Sequence, residues 1–147
     1  MGFSFDVNIL LFTVDAKSPF HKPSQALLRE LLSGEDRCFL CWEVLHAYLR
    51  LASSPRIFET PLPLDALIAN AEFFLSHPNV ETLAASSHSM QILETLIRDF
   101  HLRGPIISDA VIASILEANG IRRIYTHDRD FWKFPFLKPA DPFAPRA

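Results

Sequence analysis

Five acids are spaced so that they could do chemistry together. Asp6 lies inside the apolar run from Phe3 to Leu11, Glu43 follows a second apolar run, and Asp109 opens a helical pattern. Asp128 and Asp130 lie within Thr126-His127-Asp128-Arg129-Asp130-Phe131. An unpaired carboxylate at the depth of a buried strand is costly, so Asp6 needs hydrogen bonds, a cation or a metal. Carboxylate oxygens without thiolates suit hard cations such as Mg²⁺ or Mn²⁺, which keep several waters and need few protein ligands. Two such ions about 3.5 to 4 Å apart can activate water, hold a phosphodiester and stabilise the leaving oxygen. No nucleophile-elbow sequence supports a serine or cysteine mechanism instead.

The elements that must bring these acids together follow from the apolar pattern. Phe3–Leu11 reads as a buried central strand, a near-continuous apolar run of the kind parallel sheets require. Ser18-Pro19 offers a cap and a first-turn proline for a helix carrying Leu27, Leu28, Leu31 and Leu32, which Gly34 ends. Arg37–Trp42 is a short strand, and Glu43 opens a helix through Val44, Leu45, Tyr48 and Leu49. Pro63-Leu64-Asp65 starts another helix, with Leu67, Ile68, Ala71, Phe74 and Leu75 on one face, and His77-Pro78 stops it. Asn79–Leu83 is a brief strand. Ser86 or Ser87 caps a helix through Ile92, Leu96 and Phe100. The run from Ile106 to Leu116 is a helix, with Ser108 as its possible cap, and Gly120 closes it. Arg123–Tyr125 is a strand leading into the acidic loop, Phe136–Lys138 a possible edge strand, and residues 139–147 an irregular tail. Strands alternating with helices predict right-handed crossovers and a mainly parallel sheet. Ligands of such sheets gather at the carboxyl ends of the strands.

A chain of 147 residues predicts one domain, residues 1–147, which at that length buries roughly 68 to 70 % of its unfolded surface. No apolar run approaches a membrane span and no signal segment is legible, which predicts a cytoplasmic protein with no membrane contact. The formal charge of −3 is unlike the basic footprint of most nucleic-acid binders. Five of the 17 acidic side chains belong to the proposed cluster, however, leaving 12 against 14 basic ones. Bound divalent cations would therefore make the loaded protein compatible with a phosphate backbone. Cys38 and Cys41 sit in an apolar strand with no partner pair at zinc spacing, and read as buried inert thiols.

Phe-Asp-Val-Asn-Ile-Leu near the start, Glu43 after the second strand, Ser-Asp-Ala-Val-Ile-Ala at 108–113 and Thr-His-Asp-Arg-Asp-Phe at 126–131 together resemble a PIN domain. The resemblance is specifically to a VapC-like toxin ribonuclease of a type II toxin-antitoxin system, and it covers nearly the whole chain. It implies a three-layer α/β/α sandwich, Mg²⁺-dependent cleavage of RNA by metal-activated water, with Mn²⁺ a possible substitute, and 3′-hydroxyl and 5′-phosphate ends. It also implies inhibition by a cognate antitoxin, in a homodimer or a toxin-antitoxin hetero-oligomer. Carried over by residue, Asp6, Glu43, Asp109 and Asp128 would be catalytic, and Asp6, Asp109, Asp128 and Asp130 would hold metal. Asn8, Thr126 and Ser108 would support them. Spacing leaves open which of Asp128 and Asp130 lies closer to a metal, and we take Asp128.

Candidate phosphate contacts are Arg50, Arg56, Arg98, Arg103, Arg129 and Lys133. His46, His88 and His127 could bind substrate or metal, and Trp42 and Trp132 could stack on bases, although each residue also suits an ordinary structural or surface place. Leu51–Leu75 is the expected antitoxin or dimer surface. Two other classes compete. A catalytically silent PIN-like binding module would keep the fold without turnover. An Asp-dependent phosphotransferase would also place Asp after the first strand, but one type needs a second Asp where Asn8 stands, and another a catalytic Lys late in the sheet.

Overall fold

The computed structural model describes residues 2–144. Strand β1 (Gly2–Phe5) is the central member of a five-stranded, wholly parallel sheet. Its Phe3, Ser4 and Phe5 are fully buried. Complete burial of a phenylalanine side chain stabilises by roughly 1.5 to 3 kcal/mol.

The apolar run does not continue as strand. Asp6 caps helix α1 (Val7–Val14), its Oδ1 accepting the Val7 N–H at 2.7 Å. The expected strand over Phe3–Leu11 is thus corrected to four strand residues and a helix. A short all-apolar run fits a buried helix as well as a buried strand, and the Asp cap decides between them.

Helix α2 (His21–Ser33) begins later than Ser18-Pro19 predicts, with Phe20 at its N-cap; the Ser18 hydroxyl instead accepts the Phe20 N–H. Gly34 ends the helix as expected. Strand β2 (Arg37–Cys41) pairs with β1 and leads directly into α3 (Trp42–Ala52). Helix α4 (Leu64–Ser76) buries Leu67, Ala71 and Phe74, but Ile68 and Leu75 of the expected apolar face are exposed. Strand β3 (Val80–Leu83) pairs with β2. Helix α5 (Ser87–Phe100) is capped by Ser86 in a reciprocal pair with Ser89, while α6 (Ile106–Ala118) starts after Pro105, so Ser108 is not its cap. Gly120, at φ +70°, turns the chain out of α6.

Strand β4 (Arg123–Tyr125) pairs with the other side of β1, and β5 (Lys138–Ala140) pairs parallel to β4. Pro139 and Ala140 therefore belong to the sheet, correcting the expected irregular tail and moving the edge strand two residues from Phe136–Lys138. Proline is tolerated there because β5 is an edge. Residues 145–147 of that tail lie outside the described residues.

The strand order β3-β2-β1-β4-β5 reverses direction at β1. Helices α1 to α4 form one connected group and α5 packs on α6, giving the expected PIN-like α/β/α architecture. Among the described residues no helix is long and apolar enough to cross a membrane.

Candidate metal centre

The strand order reverses at β1, and the place where open α/β sheets bind ligands lies beyond the carboxyl ends of β1 and β4. Asp6 leaves β1 there, and its N–H donates to the Tyr125 carbonyl at 2.9 Å, joining the two strand ends. Its Oδ2 accepts from the Thr126 hydroxyl at 3.0 Å and from the Asn8 Nδ2 at 3.2 Å. Of the three supporting residues named from the motif, Asn8 and Thr126 thus hold Asp6 directly. Asn8 Oδ1 also accepts the His127 N–H at 3.3 Å, and the Thr126 Oγ1 accepts the Asp128 N–H at 3.0 Å.

The acidic loop continues as a short 3₁₀ turn (Arg129–Lys133) capped by Asp128, whose Oδ1 accepts the Asp130 N–H at 2.9 Å. Asp109 comes from the first turn of α6. Asp109, Asp128 and Asp130 each offer a carboxylate oxygen, all within 4.8 Å of one another. Oxygens on opposite sides of an octahedral Mg²⁺ lie about 4.2 Å apart, so this spread is close to what one ion bridges.

Desolvation by burial raises the Asp6 pKa to about 6, with the Asp128 charge adding to the rise and the Val7 and Thr126 hydrogen bonds opposing it. Asp109 is pushed to about 7, first by burial and then by the charges of Asp6, Asp128 and Asp130. Lys133 reaches Asp130 at 3.6 Å in an exposed ion pair at the edge of the acidic group. The residues present fit a hard divalent cation: every donor is oxygen, and the negative charge is concentrated and partly desolvated.

The remaining candidates are placed differently. Glu43 lies in the first turn of α3 at the carboxyl end of β2, outside the three-carboxylate group; its buried Oε2 has no hydrogen-bond partner among the described residues. Ser108 is exposed and makes no hydrogen bond to the acids. Arg98 pairs with Glu94 on its own helix. Trp42 and Trp132 are both about half exposed. Cys38 and Cys41 are fully buried, and burial pushes both thiols up to about 12. A missed participant is Asp141, whose Oδ2 meets His127 Nδ1 at 2.9 Å. It fell within the expected irregular tail, and no local motif marks it.

A parallel α/β/α sheet with carboxylates at its switch point is the PIN-like class of fold. No protein-family model matches the chain. Among proteins, it is 31 % identical over 144 residues to Ribonuclease VapC48 of Mycobacterium tuberculosis, covering 98 % of this chain and 99 % of that one. Ribonuclease VapC33 of the same organism is 32 % identical over 140 residues, covering 93 % and 95 % of the two chains. Among solved structures, M. tuberculosis VapC20, described as a sarcin-ricin loop cleaving toxin, superposes with a TM-score of 0.69 at 20 % identity, covering 92 % of this chain and 97 % of that one. VapBC2 of Rickettsia felis, solved with promoter DNA, gives 0.65 at 17 %, covering 96 % and 100 %. The structural likenesses carry the fold, and the sequence relatives carry the family. The chain belongs to the VapC ribonuclease family.

Proposed function

We propose that the protein is a metal-dependent endoribonuclease toxin, using Mg²⁺ or Mn²⁺ and inhibited by a cognate antitoxin. The observation that carries this reading is the meeting of Asp109, Asp128 and Asp130 within 4.8 Å at the sheet's switch point, backed by the desolvated Asp6. The ribonuclease relatives support the same reading.

In this account Asp109, Asp128 and Asp130 hold the cation, and Asp6 faces the same charge from β1. Asn8 and Thr126 fix the Asp6 carboxylate by hydrogen bonds and so keep it from rotating away. Glu43, with an unpartnered buried oxygen, is available to bind a water at the β2 side of the site. When bound, the cation supplies activation of the attacking water and stabilisation of charge on the phosphate and the leaving oxygen. The chain's own acids contribute by holding that charge in a partly desolvated site, where electrostatic interactions are stronger than in water.

The antitoxin reading is supported by solved relatives crystallised as VapBC complexes. Leu51–Leu75 remains our proposed contact surface. Leu62, Phe73 and Phe74 from it line a cleft of about 720 Å³ together with Leu28 and Leu32 of α2. Ile57, Leu64, Ile68 and Leu75 leave further apolar area in the same segment exposed.

The test is the chemistry of the ends. RNA cut by purified protein should carry 5′-phosphate and 3′-hydroxyl termini, read by ligation and kinase labelling. Terminal 2′,3′-cyclic phosphates would contradict water as the nucleophile.

A further inference from the structure

His127 leaves the metal loop between Thr126, which binds Asp6, and Asp128, which belongs to the carboxylate group. His127 is thus the residue between the one that holds Asp6 and the first loop acid of the carboxylate group. That side chain is held from two directions. Its Nδ1 meets Asp141 Oδ2 at 2.9 Å, and the other Asp141 oxygen accepts the Phe143 N–H at 2.9 Å. Its ring packs edge-on against Phe20 at 4.8 Å, Phe143 at 5.8 Å and Phe12 at 5.9 Å, while Phe20 and Phe143 stack at 4.6 Å.

A residue tying down the C-terminal segment needs only Nδ1 for that purpose. The imidazole nevertheless remains 39 % exposed, and its Nε2 has no partner among the described residues. Fixing one ring nitrogen on a carboxylate orients the other, and a ring already held loses little freedom when it meets a ligand.

We propose that His127 contacts the RNA sugar-phosphate backbone next to the cleaved bond through Nε2, with Asp141 as the residue that positions it. This rests on the ribonuclease reading above. The contact is to backbone and not to base, so it acts on every sequence the site accepts.

Asparagine and glutamine separate the two nitrogens. In His127→Asn the side-chain amide stands near the Nδ1 position, keeping the Asp141 hydrogen bond while removing Nε2. In His127→Gln the amide reaches the Nε2 position and abandons Asp141. The probe is a fluorescein-labelled, mixed-sequence single-stranded RNA of about 20 nucleotides and its DNA counterpart. Binding is measured in Ca²⁺ and turnover in Mg²⁺.

His127→Asn is expected to raise the RNA Kd and KM about tenfold, equivalent to about 1.4 kcal/mol, with kcat and Mn²⁺ affinity unchanged and Tm lowered by loss of the ring's contacts with Phe12, Phe20 and Phe143. His127→Gln retains part of the binding. Asp141→Ala weakens binding in the wild-type background and adds nothing to His127→Asn, because it acts through the same ring. A loss confined to RNA assigns the contact to the ribose 2′-hydroxyl, and an equal loss with DNA assigns it to phosphate. Wild-type Kd and KM in His127→Asn, with a lowered Tm in Asp141→Ala, would overturn the proposal and leave the pair as a structural tie. RNA bound but left uncut by the wild type contradicts the ribonuclease reading, while the binding comparison still decides His127. No binding of RNA by the wild type overturns both.

Discussion

The Thr126 hydroxyl donates to Asp6 Oδ2 at 3.0 Å, joining residues 120 positions apart in sequence. Thr126 Oγ1 in turn accepts the Asp128 N–H at 3.0 Å, so one buried hydroxyl connects the acid after β1 to the acids after β4.

Replacing Thr126 by valine keeps the shape and removes three hydrogen bonds: the one donated to Asp6 and those accepted from the Asp128 N–H and from Asn8 Nδ2 at 3.3 Å. The variant should bind Mn²⁺ about 10- to 100-fold more weakly in calorimetry and lose about 1 to 3 kcal/mol of stability. Thr126→Ser retains the hydroxyl and should stay near wild type. Equal Mn²⁺ affinity in Thr126→Val would separate this hydroxyl from the metal site.

Asp109→Asn should trade function for stability. The carboxyl is disfavoured as an anion by burial and by three neighbouring acids, so an isosteric amide relieves repulsion in the metal-free protein. Thermal melting in EDTA should show a higher Tm, whereas cleavage should fall by about 10²-fold or more. A lower Tm in EDTA would show that the ionised carboxylate is stabilising where it stands.

The metal-free protein should lose stability as pH rises from about 4 to about 7. Asp6 and Asp109 have folded-state pKa values of about 6 and about 7, above the unfolded value near 3.8, so across this window the folded state binds more protons than the unfolded state. Stability therefore falls with increasing pH, the reverse of the usual acid denaturation. Mg²⁺ should restore more stability at pH 7.5 than at pH 5. Urea unfolding in EDTA across this range measures the slope, and a midpoint rising from pH 4 to 7 would contradict it.

Cys38 and Cys41 should be silent in the native protein. Their thiols are fully enclosed and pushed up to about 12, leaving almost no thiolate at neutral pH. Iodoacetamide should label them only after denaturation, with cleavage unchanged by reductant. Rapid native labelling would reveal an opening of β2.

Much of this architecture was legible because its signals are local. Phe3–Phe5 and Arg123–Tyr125 are strand runs each followed directly by a polar residue, and Arg37–Cys41 is followed by Trp42 and then Glu43. What the sequence did not reveal was set by tertiary context. Val7–Leu11 is the exception, a local ambiguity: the run suits a buried strand as well as a helix, and the capping of Val7 by Asp6 favours the helix. Lys138–Ala140 has no strand pattern of its own and pairs because β4 offers an open edge. The Asp6–Asn8–Thr126 connection is suggested by motif spacing, whereas the partnership of His127 with Asp141 depends on where β5 returns the chain. Asp109, Asp128 and Asp130 share one site, while Glu43, equally prominent in sequence, stands apart with its own unpartnered oxygen.

The most direct test of the central claim is cleavage of a mixed RNA panel by antitoxin-free protein stripped with EDTA, with and without added Mg²⁺ or Mn²⁺, beside Asp6→Asn purified identically. The account predicts cutting that appears only on metal addition and falls by about 10²-fold or more in the variant. Cutting that persists in EDTA, or an Asp6→Asn variant as active as the wild type, would contradict it.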